Sequence, residues 1–243
     1  MFDAIKNALG LGRTADAKAS TKAATQHTPA KPGQSQSPGG KVSEWANMQG
    51  LSFAQRSDGR GGYQVEGKVG GKAWRIEQGK PSRDFINGLE LRARADLGVR
   101  DDVAVMVMTR QLKNDLDKRA FALYTDTLQT IADPNLPEEM RWLSIYEEVG
   151  WQSLGDPFLN NYAILADKQE HAKAWVSKEL ADCLMAWPNL DPAMPKILML
   201  LRGKAYLRIQ CVEGDMPTLE HATTLFTTAC ELALDGLRTD VAL

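Results

Sequence analysis

The chain is poor in the residues that usually announce chemistry. Among 243 residues there are three cysteines, Cys183, Cys211 and Cys230, and three histidines, His27, His171 and His221. The cysteines are widely spaced, odd in number and form no CxxC pair, which excludes a disulfide framework and a cysteine zinc site and predicts reduced thiols in a cytoplasmic protein. No apolar run approaches the roughly eighteen residues needed to span a bilayer, and nothing near the N-terminus reads as a secretory leader. GxSxG, HExxH, P-loop and GxGxxG patterns are all missing. No catalytic, cofactor-binding or metal-binding residues are therefore assigned from sequence. An enzyme assembled from residues distant in sequence stays open as a class, because such sites are set by geometry.

A second absence is local. Residues 12–41 contain no Val, Ile, Leu, Met, Phe, Tyr or Trp. A stretch of that composition buries too little apolar surface to offset chain entropy and is expected to be a disordered linker. Ahead of it, residues 1–11 place Phe2, Ile5 and Leu9 on one helical stripe, with Asp3, Lys6 and Asn7 opposite. Three turns are marginal alone in water, so this segment is a candidate contact for a protein partner or a peripheral membrane surface. The first 41 residues carry +4 and the remainder −6. A mildly acidic body argues against general nucleic-acid binding, which needs a basic face to release counterions.

What is present is ordinary globular material: 43% hydrophobic and 25% charged residues overall, enough to close a core without metals or disulfides. From 42 to 108 the period is two. Ser43 is placed to cap a short helix carrying Trp45 and Met48. Tyr63, Val65 and Val69 alternate with polar neighbours, Gly70-Gly71 reads as a hairpin turn, and Trp74 and Ile76 return. Leu89, Leu91, Ala93 and Ala95 alternate with charged residues, and Val103–Met108 is continuously apolar, as in a strand covered on both faces.

From 109 to 243 the period turns helical. Leu112, Leu116, Ala120 and Leu123 form one stripe. Pro137 begins a helix buried through Trp142, Leu143, Tyr146 and Val149. Gln169–Trp187 holds an i, i+3, i+4 rhythm, and Leu219–Leu237 another. Residues 195–212 fit both a strand and a helix, and their length without an obvious turn pair favours the helix. The expected fold is α+β: a small antiparallel sheet or partial barrel followed by a C-terminal helical bundle.

Two stretches resemble known families. Gly203-Lys204-Ala205-Tyr206, followed by Ala222, Phe226 and Ala229, is similar to one tetratricopeptide helical hairpin over about 198–234; the resemblance implies peptide or protein binding. The segment between the two halves is longer than that family's turn. Arg56-x3-Arg60, with Asp84-Phe85-Ile86-Asn87-Gly88 entering a strand, loosely resembles PilZ-type domains. That likeness implies a phosphate or nucleotide ligand on Arg56 and Arg60. Ile86 stands where the family has serine, and Gly88 comes one residue early.

Other candidate polar groups read as structural. Asp167 and His171 are spaced i, i+4, but one such pair is not a metal site, and the histidines are expected at the surface. Cys183 and Cys230 fall on apolar helix faces as small core residues. Glu138, Glu139, Glu147 and Glu148 form a solvated acidic face near Arg141. The leading expectation is a non-catalytic cytoplasmic adaptor whose helical half binds a protein partner and whose arm recruits it. The alternative is a phosphate- or nucleotide-ligand sensor in the β-rich half.

Overall fold

The computed structural model describes residues 38–56, 62–127, 137–188, 191 and 193–238. The candidate segment Phe2, Ile5 and Leu9, residues 12–37 of the expected linker, and Arg60 lie outside them. Within the described residues the fold is α+β, one antiparallel sheet with helices on its faces.

The chain enters through α1 (Pro38–Met48), then β1 (Ser52–Gln55), β2 (Tyr63–Val69), β3 (Lys72–Gly79), β4 (Leu89–Asp96) and β5 (Ala104–Thr109). Helices α2 (Arg110–Thr127) and α3 (Glu138–Ile145) follow, then β6 (Glu147–Val149), α4 (Asp156–Asn161) and β7 (Tyr162–Ala166). Helices α5 (Gln169–Trp175) and α6 (Lys178–Met185), strands β8 (Lys196–Leu201) and β9 (Lys204–Cys211), and α7 (Met216–Gly236) complete it. The nine strands lie in the order β1-β2-β3-β4-β9-β8-β5-β7-β6, and every neighbouring pair is antiparallel.

One face of the sheet carries the larger core. Val65, Ile76, Leu91, Ala93, Leu207 and Ile209 point into it and pack with Trp45, Trp175, Leu180 and Phe226 from α1, α5, α6 and α7. Side-chain bonds fix this layer. The Trp175 indole donates to the Ala229 carbonyl at 2.8 Å, joining α5 to α7, and the Tyr162 hydroxyl donates to Leu184 O at 2.8 Å, joining β7 to α6. Among the described residues the second face is covered at one end only. Met106, Met108, Leu165, Ile197 and Met199 from β5, β7 and β8 pack under Leu112, Leu116, Met140 and Trp142 of α2 and α3. Strand β5 is buried along its whole length, as its apolar run predicts.

Four expectations are corrected. Residues 195–212 are not a helix. They form the β8–β9 hairpin, with Leu201 paired to Lys204 across a two-residue turn. Arg202 (φ 51°) and Gly203 (φ 71°) both lie in the left-handed region that this turn requires. The first helix of the supposed helical hairpin is thus a pair of strands. Nor does the chain divide at 108 into a β half and a helical half, since β6 to β9 come from beyond it and join the same sheet. The single helix expected over 169–187 breaks at Val176, and Ser177 caps α6 by accepting the Leu180 N–H. Helix α1 begins at Pro38, so residues 38–41 belong to the body and Ser43 is inside the helix.

Candidate functional site

The strands β2, β3, β4 and β9 bury one face and leave the other to side chains that are nearly all polar. Strand β9 alternates residue by residue, with Lys204, Tyr206, Arg208 and Gln210 opposite its buried set. Strand β4 contributes Glu90, Arg92, Arg94 and Asp96. The register stacks these groups in rows. Glu77, Arg92 and Arg208 lie side by side across β3, β4 and β9, and the next row is Glu66, Arg75, Arg94 and Tyr206, with Glu66 on β2. Like charges directly opposite each other in a sheet are unfavourable, yet this face contains Arg92 beside Arg208 and Arg75 beside Arg94.

The first row is neutralised from within. Glu90, fully buried, accepts from the Arg208 guanidinium at 2.6 Å and from the Ser82 amide at 2.7 Å, while Arg92 lies 3.8 Å away. Arg208 also donates to the Ser82 hydroxyl at 2.5 Å. Glu77 gathers three arginines: Arg56 at 2.8 Å, Arg75 at 3.1 Å and Arg92 at 3.3 Å. The second row is less balanced. Arg94 has no carboxylate among the described residues; its guanidinium lies over the Tyr206 ring, 5.8 Å from the centroid. Arg75 and Arg94, with Lys68, Glu66 and Asp96, line an open hollow of about 750 Å³ above β2 to β4.

The covered and bare parts of this face meet at a groove of about 690 Å³. Helix α3 forms one wall through Glu138, Arg141 and Trp142, continued by Tyr146 just past its end, and the β8–β9 hairpin contributes Met199, Leu201, Arg202, Lys204, Tyr206 and Arg208. The segment 80–88 closes one end. Its Arg83 pairs with Glu138 at 2.5 Å and Glu139 at 2.8 Å on α3, and its Asn87 amide donates to the Gln210 side chain at 2.8 Å. Asp101, Asp102 and Asp167 stand at the other end. A hydrogen bond from Arg100 holds the Asp102 carboxyl below its ordinary range, against the effect of burial. Asp167 is held by His171 Nδ1 at 2.8 Å and by the Ala104 amide at 3.1 Å.

Of the two ligand candidates read from sequence, Arg56 is bound to Glu77, and Arg60 lies outside the described residues. His171 is buried and not on the surface, and His221 is half-buried against the Cys183 carbonyl and the edge of Trp187. Glu148, expected on a solvated acidic face, is claimed by Arg110 at 2.5 Å and Lys113 at 3.0 Å; although burial opposes its ionisation, these cations hold its carboxyl below the usual range. Among the described residues no three His, Cys, Asp or Glu side chains converge as a metal site, and no helix is long and apolar enough to cross a membrane.

The residues that sequence reasoning passed over are Arg75, Arg94, Tyr206 and Arg202. The alternation of β4 was legible, but its pairing with β9 was not.

No family model and no curated protein matches the chain. Among solved structures it is similar to the mycobacterial trehalose monomycolate transport factor A, TtfA, at 10% identity and a TM-score of 0.46, over 81% of this chain and 94% of that one.

Proposed function

We propose that the protein is a non-catalytic, cytoplasmic adaptor that holds an acidic protein partner on the bare sheet face of β2, β3, β4 and β9, and that its N-terminal arm aids recruitment. One observation carries this reading: Arg75 and Arg94 stand directly opposite each other on a face that no helix covers among the described residues. Among the described residues Glu77 forms the pair's one ion pair, through Arg75, and is shared with Arg56 and Arg92, while Glu66 stands opposite Arg75 on β2 without pairing to either arginine. An acidic partner supplies further counter-charge and relieves a repulsion that the fold maintains.

The surface is placed on the sheet and not on the helices because the apolar faces of α5, α6 and α7 are already spent in the core. The cytoplasmic assignment is supported by Cys183, Cys211 and Cys230, all unpaired thiols, with burial raising each pKa.

The test matches charge changes on two surfaces. A partner is purified from native cells with the wild-type chain, identified, and its affinity measured with R75E/R94E and with K173E/K178E, which alters the exposed side of α5 and α6 by the same charge. The reading expects at least a tenfold loss in the first variant and none in the second. The reverse pattern would return the surface to the helices, and unchanged binding in both would end the proposal. Removal of residues 1–37, which spares α1, tests the arm.

A further inference from the structure

The groove beside α3 has a character different from the sheet face, and its reading does not depend on the one above. We propose that it binds a small anion carrying a planar ring: a phosphate or carboxylate joined to an aryl group or nucleobase.

Most charged side chains of the groove are already engaged. Asp102 is held by Arg100, Asp167 by His171 and the Ala104 amide, and Glu138 by Arg83. On the cationic side Arg83, Lys204 and Arg208 have Glu138, Asp96 and Glu90. The guanidinium groups of Arg141, on the helix wall, and Arg202, at the hairpin turn, have no ion pair or hydrogen bond among the described residues, against Asp101 alone. Two free guanidinium groups lining one groove suit a phosphate or carboxylate, whose oxygens accept forked donors.

The floor is largely apolar. Met199 and Leu201 line it with Tyr206, and Trp142 and Tyr146 line the helix side. Tyr146, Leu201 and Tyr206 are only partly buried, at the margin of the smaller core. Three aromatic side chains with an aliphatic floor offer a flat ring stacking and edge contacts. The volume of about 690 Å³ falls in the range of small-molecule pockets, roughly 300–1,000 Å³.

Arg202 adds a further sign. It is the one non-glycine residue with positive φ among the described residues, at a turn position that asparagine or glycine fills with less strain. A strained backbone that presents a free cation to a groove is what a ligand contact would maintain.

Calorimetry on the full chain tests the proposal with four probes: adenosine 5′-monophosphate, indole-3-carboxylate, adenosine and inorganic phosphate. At least one of the first two should bind, and adenosine and phosphate should each bind at least tenfold more weakly, since each lacks one half of the ligand. Which of the first two binds tells a phosphoryl from a carboxyl ligand. R141A, on an exposed helix position, and R202N, which suits the turn, should each raise the Kd about fivefold or more, while K68E/R75E on the neighbouring face should leave it unchanged. No heat from either ring-bearing anion at millimolar concentration would overturn the proposal, as would undiminished affinity in R141A and R202N. Loss in K68E/R75E alone would place the anion on the sheet face and overturn it too.

Discussion

Removing the Glu90 carboxylate should unfold this protein more readily than any other single change on the polar sheet face. Glu90 is fully buried, with two good donors, the Arg208 guanidinium at 2.6 Å and the Ser82 amide at 2.7 Å. Truncation to alanine leaves both without their acceptor. Ser82 is exposed, so its amide regains water and adds little, but breaking a buried ion pair from one side costs about 3–5 kcal/mol. Arg208 keeps the Ser82 hydroxyl and some solvent, which trims that loss. The expected penalty for E90A is therefore about 3–4 kcal/mol, which for a body of this size lowers Tm by roughly 6–15 °C. Because the same carboxylate holds the 80–88 segment, whose Arg83 grips α3, hydrogen exchange should rise in 80–88 and in α3 before the rest of the sheet. Urea unfolding of E90L, R208M and E90L/R208M, beside E90A, closes the cycle. Each single change should be costly. The double, which removes both charges together, should be less destabilised than E90A, because no charge is left buried and alone. Additive penalties, or a cost below about 1 kcal/mol for E90A, would refute the account of Glu90 as the buried counter-charge of this face.

Three further outcomes are expected. R202N should raise stability by about 0.5–1 kcal/mol, since a left-handed position strains an ordinary side chain by roughly 1–2 kcal/mol and asparagine tolerates it; a lower urea midpoint would count against the turn assignment. Lys196, buried against Trp187 with its ammonium 3.3 Å from the Asp191 carbonyl, has its pKa pushed down to about 8 by burial, against the opposing pull of Asp191's charge. The unfolded chain thus holds more protons than the folded one between about pH 8 and 10.4, so this residue's contribution to stability rises with pH across that window. The difference between the wild type and K196M should shift in that direction by a few kcal/mol, and a flat difference would contradict the burial. In G236A the new Cβ would lie 2.4 Å from the Ala174 carbonyl oxygen, so α5 and α7 must separate. A loss of about 1–3 kcal/mol is expected in chemical denaturation, despite alanine's better helix propensity.

Much of the architecture was legible where one physical signal acted alone. The Gly70-Gly71 hairpin, the alternating β4 and the long last helix all stand where composition and period put them. The reading failed where two signals met. Strand β8 is buried on both faces and so shows no period of two, whereas β9 alternates. Run together, Leu198, Leu201, Ala205, Ile209 and Val212 imitate a helical stripe. The turn between the strands is Arg202-Gly203, and arginine is no signal for a left-handed turn position. Conversely, Gln169–Trp187 kept helical spacing across a break because Ser177 restarts the helix with its apolar face still toward the sheet. The polar site was harder still. Arg92 and Arg208 are neighbours only because β9 inserts between β4 and β8; nothing in the separate segments specifies that pairing.

The position of the groove is nevertheless a consequence of the sequence once the strand order is known. Strands β5, β7 and β8 carry apolar residues on both faces and demand cover twice; β4 and β9 carry them on one face and commit the other to water. A helical layer over the second face must therefore end between β8 and β9, and α3, eight residues long, is the element that ends there. Where a helix stops on a sheet that continues, a trough remains, walled by the helix and floored by the last strand it covers. Here the register puts Met199 of β8 beside Tyr206 of β9 on that floor, so an apolar strip and a charged one run in parallel within a single groove. A ligand that is flat and apolar at one end and anionic at the other matches both strips at once. A purely acidic surface matches only the rows of arginine beyond them, and this is why the two surfaces should respond to different substitutions.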